Sequence, residues 1–191
     1  MKNLLPVLLV LAALGVLVGC SEDSTARTQT SPPEVPEDGL FTDYWDNGER
    51  KSEGEHKDGK KEGPWTYWYA NTQKRSEGAY KNGKLEGRWI DWYDDGVKWS
   101  EGEFKNGKQE GRWTDWHDNG VKESERAYKN GEPHGLWTQW CRVPPDKVSE
   151  GAYKNGKKEG PWTYWNESGV IYPVRSGIYK ANKKIAPLPR K

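Results

Sequence analysis

A block read as Glu-Gly-x-aromatic-Lys-Asn-Gly-Lys-x-Glu-Gly-x-Trp-x-x-Trp recurs about every 24 residues from Gly39 nearly to the C-terminal residues. Self-similarity at a short fixed period marks stacked supersecondary units, each too small to bury a core alone, so the chain folds as an array. The first Trp of each unit falls at Trp65, Trp89, Trp113, Trp137 and Trp162, and the second three residues later at Trp68, Trp92, Trp116, Trp140 and Trp165. An array places function on an extended surface, and these ten rings are its candidate binding surface or its aromatic core.

The local chemistry points to antiparallel hairpins and an all-β fold. Asp58-Gly59, Asn82-Gly83, Asn106-Gly107, Asn130-Gly131 and Asn155-Gly156 tolerate the positive φ angles of a type I′ turn, and each closes one hairpin. A second set of turn signals at the same period, Asp46-Asn47-Gly48, Asp94-Asp95-Gly96, Asp118-Asn119-Gly120 and Glu167-Ser168-Gly169, links one hairpin to the next. Two strands per unit give about twelve strands from six units. In Trp89-Ile90-Asp91-Trp92-Tyr93 a regular strand puts Trp89 and Tyr93 on one side and Trp92 on the other. After Gly39 the aromatic residues outnumber Leu, Ile and Val, so rings supply most of the buried area. Glycines such as Gly78 and Gly87 then leave open backbone on which large rings lie.

The N-terminal residues carry a different message. Lys2 precedes an apolar run from Leu4 to Val18 that ends in Leu17-Val18-Gly19-Cys20. The run is short for a membrane span and is interrupted by Pro6 and Gly15. It resembles a bacterial lipoprotein signal with its lipobox. That resemblance implies removal of residues 1–19, acylation of Cys20, and a double-chain anchor that keeps the protein at a membrane. Ser21 after Cys20 implies sorting to the outer membrane, facing the periplasm or the surface. Residues 20–38, rich in Ser, Thr and Pro, form a lipid-anchored disordered tether. The repeat array follows over residues 39–184, with a short tail over 185–191.

Composition excludes several classes. The formal charge is +1, and Lys and Glu interleave where a nucleic-acid binder would need a clustered basic stripe, so no nucleic-acid partner is expected. With Cys20 acylated, Cys141 has no intrachain partner, and packing must hold the fold. Cys141 stands where Tyr69, Tyr93 and His117 stand in other units and reads as a packing residue. His56, His117 and His134 occupy unlike slots, His56 taking the place of Tyr80 and Phe104, so no metal or other cofactor is expected. Glu62, Glu86, Glu110 and Glu159 recur with the period beside the turns and read as a solvated, salt-bridged edge. No nucleophile motif or phosphate loop is present, and the chain reads as a non-enzyme.

The segment Glu77-Gly78-Ala79-Tyr80-Lys81-Asn82-Gly83-Lys84-Leu85-Glu86-Gly87-Arg88-Trp89 resembles the MORN-repeat variant, the unit of YwqK-like proteins often labelled antitoxins. The resemblance extends over nearly all of residues 39–183. It implies an elongated, single-layer antiparallel sheet of about six hairpin repeats that serves as an attachment or scaffolding module, with no catalytic residues. The pattern weakens at Arg126, which replaces the strand Gly, at Pro133-His134, and at residues 142–146. Pro173 and Ala181-Asn182-Lys183 mark a cap that blocks edge pairing. The leading functional expectation is a membrane-anchored scaffold for another envelope protein. A glycan- or peptidoglycan-binding surface, and an immunity protein against an envelope-acting toxin, are the alternatives.

Overall fold

The computed structural model describes residues 38–143 and 146–189; the expectations placed on residues 1–37, including lipidation at Cys20, lie outside them. Thirteen strands form one antiparallel sheet in strict sequence order, and every strand pairs with its chain neighbours. They are β1 (Gly39–Tyr44), β2 (Arg50–Lys57), β3 (Lys60–Trp68), β4 (Lys74–Lys81), β5 (Lys84–Trp92), β6 (Lys98–Lys105) and β7 (Lys108–Trp116). Then come β8 (Lys122–Lys129), β9 (Glu132–Trp140), β10 (Lys147–Lys154), β11 (Lys157–Tyr164), β12 (Gly177–Lys180) and β13 (Lys183–Ala186). The described residues are all-β, as the turn chemistry requires, with one strand more than the expected twelve. The extra strand is β1, which the sequence shows only as Phe41 and Tyr44 in a truncated unit.

Each tight turn has the backbone that its dipeptide permits. Asn82 and Gly83 sit at φ 51° and 76°, Asn106 and Gly107 at 52° and 78°, and the other Asn-Gly pairs match them. Each turn also rests on the hairpin before it, since the Gly83 amide donates to the Lys61 carbonyl and the Gly107 amide to that of Leu85. The linking turns are closed in the same repeated way. Asn47 Oδ1 accepts the Glu49 amide, while its amide group donates to the Ala70 carbonyl in the next unit at 3.0 Å. Asn71 and Asn119 repeat that contact, whereas Asp95 has no amide to donate.

The two glycines of each unit do different jobs. Gly54, Gly78, Gly102 and Gly151 lie beneath a Trp ring, so close that a Cβ on Gly102 would stand 2.2 Å from Trp113 Cδ2. Gly63, Gly87, Gly111 and Gly160 instead have φ between 66° and 76° and nothing within reach of a Cβ. They open a bulge, because Gly54 pairs with Trp65 but the next residue, Glu55, pairs with Glu62. Gly87 is therefore a bulge residue, a correction to its expected place under a ring. The C-terminal end also differs from expectation. The sheet continues past Pro173 into β12 and β13, and its last edge is blunted by the four-residue length of β13, Lys183 and Lys184, and Pro187.

Candidate functional site

The two faces of the sheet are chemically unlike, and register explains why. Ser52, Gly54 and His56 pair with Tyr67, Trp65 and Lys61, so this alternate set shares one face, the column face. The other set, Glu53, Thr66 and then Trp68 beside Lys74, forms the ladder face.

On the column face the first Trp of each unit alternates with the aromatic residue of the preceding strand. Phe41, His56, Trp65, Tyr80, Trp89, Phe104 and Trp113 follow one another with centroids 4.9 to 6.3 Å apart. Most contacts are edge-to-face, the favoured geometry for ring quadrupoles. Trp65, Trp113 and Trp162 are 1, 4 and 3 % exposed, so a single-layer sheet makes its core by laying rings along itself. Their indole N–H groups are not wasted: Trp65 donates to the Glu55 carbonyl and Trp113 to that of Glu103, both at 3.1 Å. Trp89, half-buried like Trp137, is the exception in its acceptor. Its ring lies the other way round and donates to the Asp91 carboxylate at 3.0 Å.

Arg126 interrupts this column. It registers with both Trp113 and Trp137 where other units have Gly. Trp137 is displaced to half-burial, and no ring pair joins Trp113 to Tyr128 among the described residues. The guanidinium sits 5.7 Å from the Trp137 centroid and pairs with Asp115, which is 5 % exposed and also accepts from Ser100 and Ser124. Arg126 Nε has no partner. A buried pair of this kind costs desolvation and holds only because several donors share the carboxylate.

The ladder face repeats one motif. A cation lies over the second Trp in four of the five units, Arg50 over Trp68 at 4.7 Å, Lys74 over Trp92, Lys98 over Trp116 and Lys122 over Trp140, with none over Trp165 among the described residues. The same cation reaches a Glu three residues on, as in Lys74–Glu77 and Lys98–Glu101 at 2.6 Å. The Lys98 hydrogen bond holds the Glu101 carboxyl below its ordinary range. Trp68, Trp92, Trp116, Trp140 and Trp165 are all half-buried. Between the ladders lie open grooves, one of about 420 Å³ walled by Pro64, Thr66, Glu77, Arg88 and Ile90. The next, of about 350 Å³, is walled by Arg88, Glu101, Arg112, Thr114 and Trp116. Arg88 is held by Glu101, but Arg112 is exposed and has no carboxylate partner among the described residues.

The repeated Glu residues have a role that the sequence did not disclose. Glu62, Glu86 and Glu110 accept the amides of Asn82, Asn106 and Asn130, each at 2.7 Å, and Glu159 accepts that of Ala181. They staple each turn to the next unit, a correction to the salt-bridged edge expected of them. The ion pairs belong to other residues, Glu53, Glu77, Glu101, Glu125 and Glu150. The three histidines are placed apart by function: His56 in the column, His117 in a linking turn and His134 in the Glu-staple slot. Cys141 takes the place of Tyr69 and Tyr93, whose hydroxyls donate to the carbonyls of Trp92 and Trp116.

Residues 37–58, 85–106 and 109–130 match the MORN repeat variant. These segments are similar to MORN-variant repeats. Each match runs from one strand through a linking turn into the next, β1–β2, β5–β6 and β7–β8. The family unit is thus out of phase with the tight hairpin: counted by tight turns β1 is the strand left over, and counted by the matched units β13 is. No curated protein matches the chain. MORN repeats as a class are interaction modules for proteins and membranes and are typically non-catalytic.

Proposed function

We propose that the chain is a non-enzymatic repeat scaffold, anchored in a bacterial envelope through lipid on Cys20, whose ladder face holds another envelope protein. The observation that carries this reading is the inequality of the faces. One is consumed by the aromatic column, whereas the other keeps open grooves with periodic charge and an uncommitted Arg112. The cation over Trp68, Trp92, Trp116 and Trp140 argues against a sugar-stacking platform, because it occupies the ring face that a sugar would need.

A photo-crosslinking residue placed at Arg112 in the full chain tests the groove. One discrete adduct with an envelope protein is expected, with none from the same probe at Gln109 on the column face. Equal labelling from both positions, or from neither, would overturn the scaffold reading. The anchor is tested separately by Cys20→Ala, which should release the protein from its membrane or mislocalise it.

A further inference from the structure

An antiparallel meander has two long edges, and its successive turns fall on them alternately. The six tight turns therefore line up along one edge, two strands or about 10 Å apart. In five of the six, from Lys57–Lys60 in the first to Lys180–Lys183 in the last, a lysine is registered directly opposite a lysine. Only the fourth differs, with Lys129 opposite Glu132. The turns thus carry eleven lysines against two acids, Asp58 and Glu132. The near-neutral composition hides this edge, because the compensating acids lie elsewhere in the chain.

Every one of these turn lysines is exposed, and none has a carboxylate partner among the described residues. The nearby acids do not neutralise them. Glu62, Glu86 and Glu110 are held on turn amides, and Glu55 and Glu103, exposed two residues in from the turns, make no ion pair with a turn lysine among the described residues. Like charges directly opposite on paired strands destabilise a hairpin, so the fold gains nothing from the lysine pairs. Their stems are nevertheless ordered. A Cβ on Gly83, Gly107 or Gly131 would stand 3.6, 3.7 or 3.5 Å from the Cβ of Lys60, Lys84 or Lys108, so each stem lies on the glycine of the following turn. Across the third to fifth turns the edge also opens a groove of about 350 Å³, walled by Lys108, Lys129, Asn130, Glu132, His134 and Asn155.

We propose that this edge binds a linear acidic polysaccharide, a chain of the polyuronate kind with carboxylates at regular intervals. The spacing of the turns is close to the length of one extended disaccharide, so a single chain laid along the edge meets one lysine pair after another. Lysine is a flexible point charge and suits carboxylates whose orientation varies along such a chain. The turns hold no aromatic side chain and no Arg, which a single-stranded nucleic acid would use to stack its bases. They hold no large apolar side chain to enter a bilayer. A folded acidic protein would engage one patch, whereas the charge here runs in single file for about 50 Å. The contact is made by charge and not by ring stacking, and the inference rests neither on the ladder face nor on Cys20.

The test uses the full chain carrying Cys20→Ala, so that no acyl chain contributes, and measures its affinity for fluorescent oligouronates of graded length. Neutral dextran, single-stranded DNA and phosphatidylglycerol vesicles are measured beside them. Affinity for the uronates is expected to rise with length up to the span of the six turns and to fall steeply with salt. The pair Lys84→Glu with Lys108→Glu should weaken it about tenfold or more by removing contacts to the polyanion. The thermal midpoint of this variant should hold or rise, because each new Glu faces a lysine as Glu132 faces Lys129. The pair Arg75→Glu with Arg112→Glu makes the same change of charge away from the tight turns and should leave the affinity nearly unchanged. Binding no stronger than to dextran, a loss from neither pair, or an equal loss from both would overturn the proposal. So would tighter binding, at equal charge, to the DNA or the vesicles than to the uronate.

Discussion

At the residue scale, a single methyl separates fit from clash beneath the column. In Gly102→Ala the new Cβ would meet the Trp113 ring, and overpacking of this kind costs about 1 to 3 kcal/mol, readable as a lowered denaturation midpoint. Thr72 is the opposite case, a β-branched residue at φ 69° in the turn slot that Gly48, Gly96 and Gly120 fill elsewhere. Left-handed backbone costs an L-residue about 1 to 2 kcal/mol, of which the extra unfolded-state entropy of glycine offsets about 0.4 to 1, so Thr72→Gly should raise stability by about 1 kcal/mol at most, read as a higher midpoint. The Trp rings divide similarly. Trp113→Ala opens a void in the column and should cost about 3 to 5 kcal/mol. Trp116→Ala removes a half-buried ring under Lys98 and should cost clearly less in the same chemical denaturation series.

At the element scale, hairpins are joined by more than strand ladders. The Glu86 carboxylate takes the Asn106 amide in the next turn, a charge-assisted bond that turns two hairpins into one stack. Glu86→Ala should cost about 1 kcal/mol and speed amide hydrogen exchange at Asn106 ahead of its neighbours. The natural counterpart is unit five, where His134 stands in the staple slot before the Asn155 turn. His134→Glu should restore the staple and slow exchange at Asn155. This junction is doubly weak, because Arg126 also breaks the ring column one strand earlier.

On the scale of the sheet, the phenols that line the column set a pH limit. Burial raises the ionisation of Tyr67, Tyr128 and Tyr153 above the ordinary tyrosine range, with the hydrogen bond between Tyr67 and Tyr80 adding to it at Tyr67. A folded-state pKa above the unfolded one means that the unfolded chain releases protons first, so stability is intact below pH about 10 and is lost above it. Burial lowers the Lys61 ammonium and acts in the opposite sense, but one lysine faces three tyrosines. The thermal midpoint should therefore be flat from neutral pH and fall above about 10. Phenolate absorbance from the column tyrosines should rise together with unfolding; ionisation well before unfolding would contradict their burial.

The sequence by itself determined the period, the turns and the strand class, because Asn-Gly pairs and spaced aromatics act through local backbone geometry that needs no distant partner. It also located the weak units at Arg126 and Pro133-His134, since a broken repeat is visible wherever its neighbours are regular. Only the tertiary structure decided which Gly lies under a ring and which opens a bulge, for both are simply Gly until register is known. The same holds for the Glu staples, whose partner amides lie twenty residues away in the next turn. Face assignment was likewise out of reach: Trp65 and Trp68 are the same residue type three positions apart. One became core and the other the bed of a charge ladder because strand alternation sends them to opposite sides of a one-layer sheet.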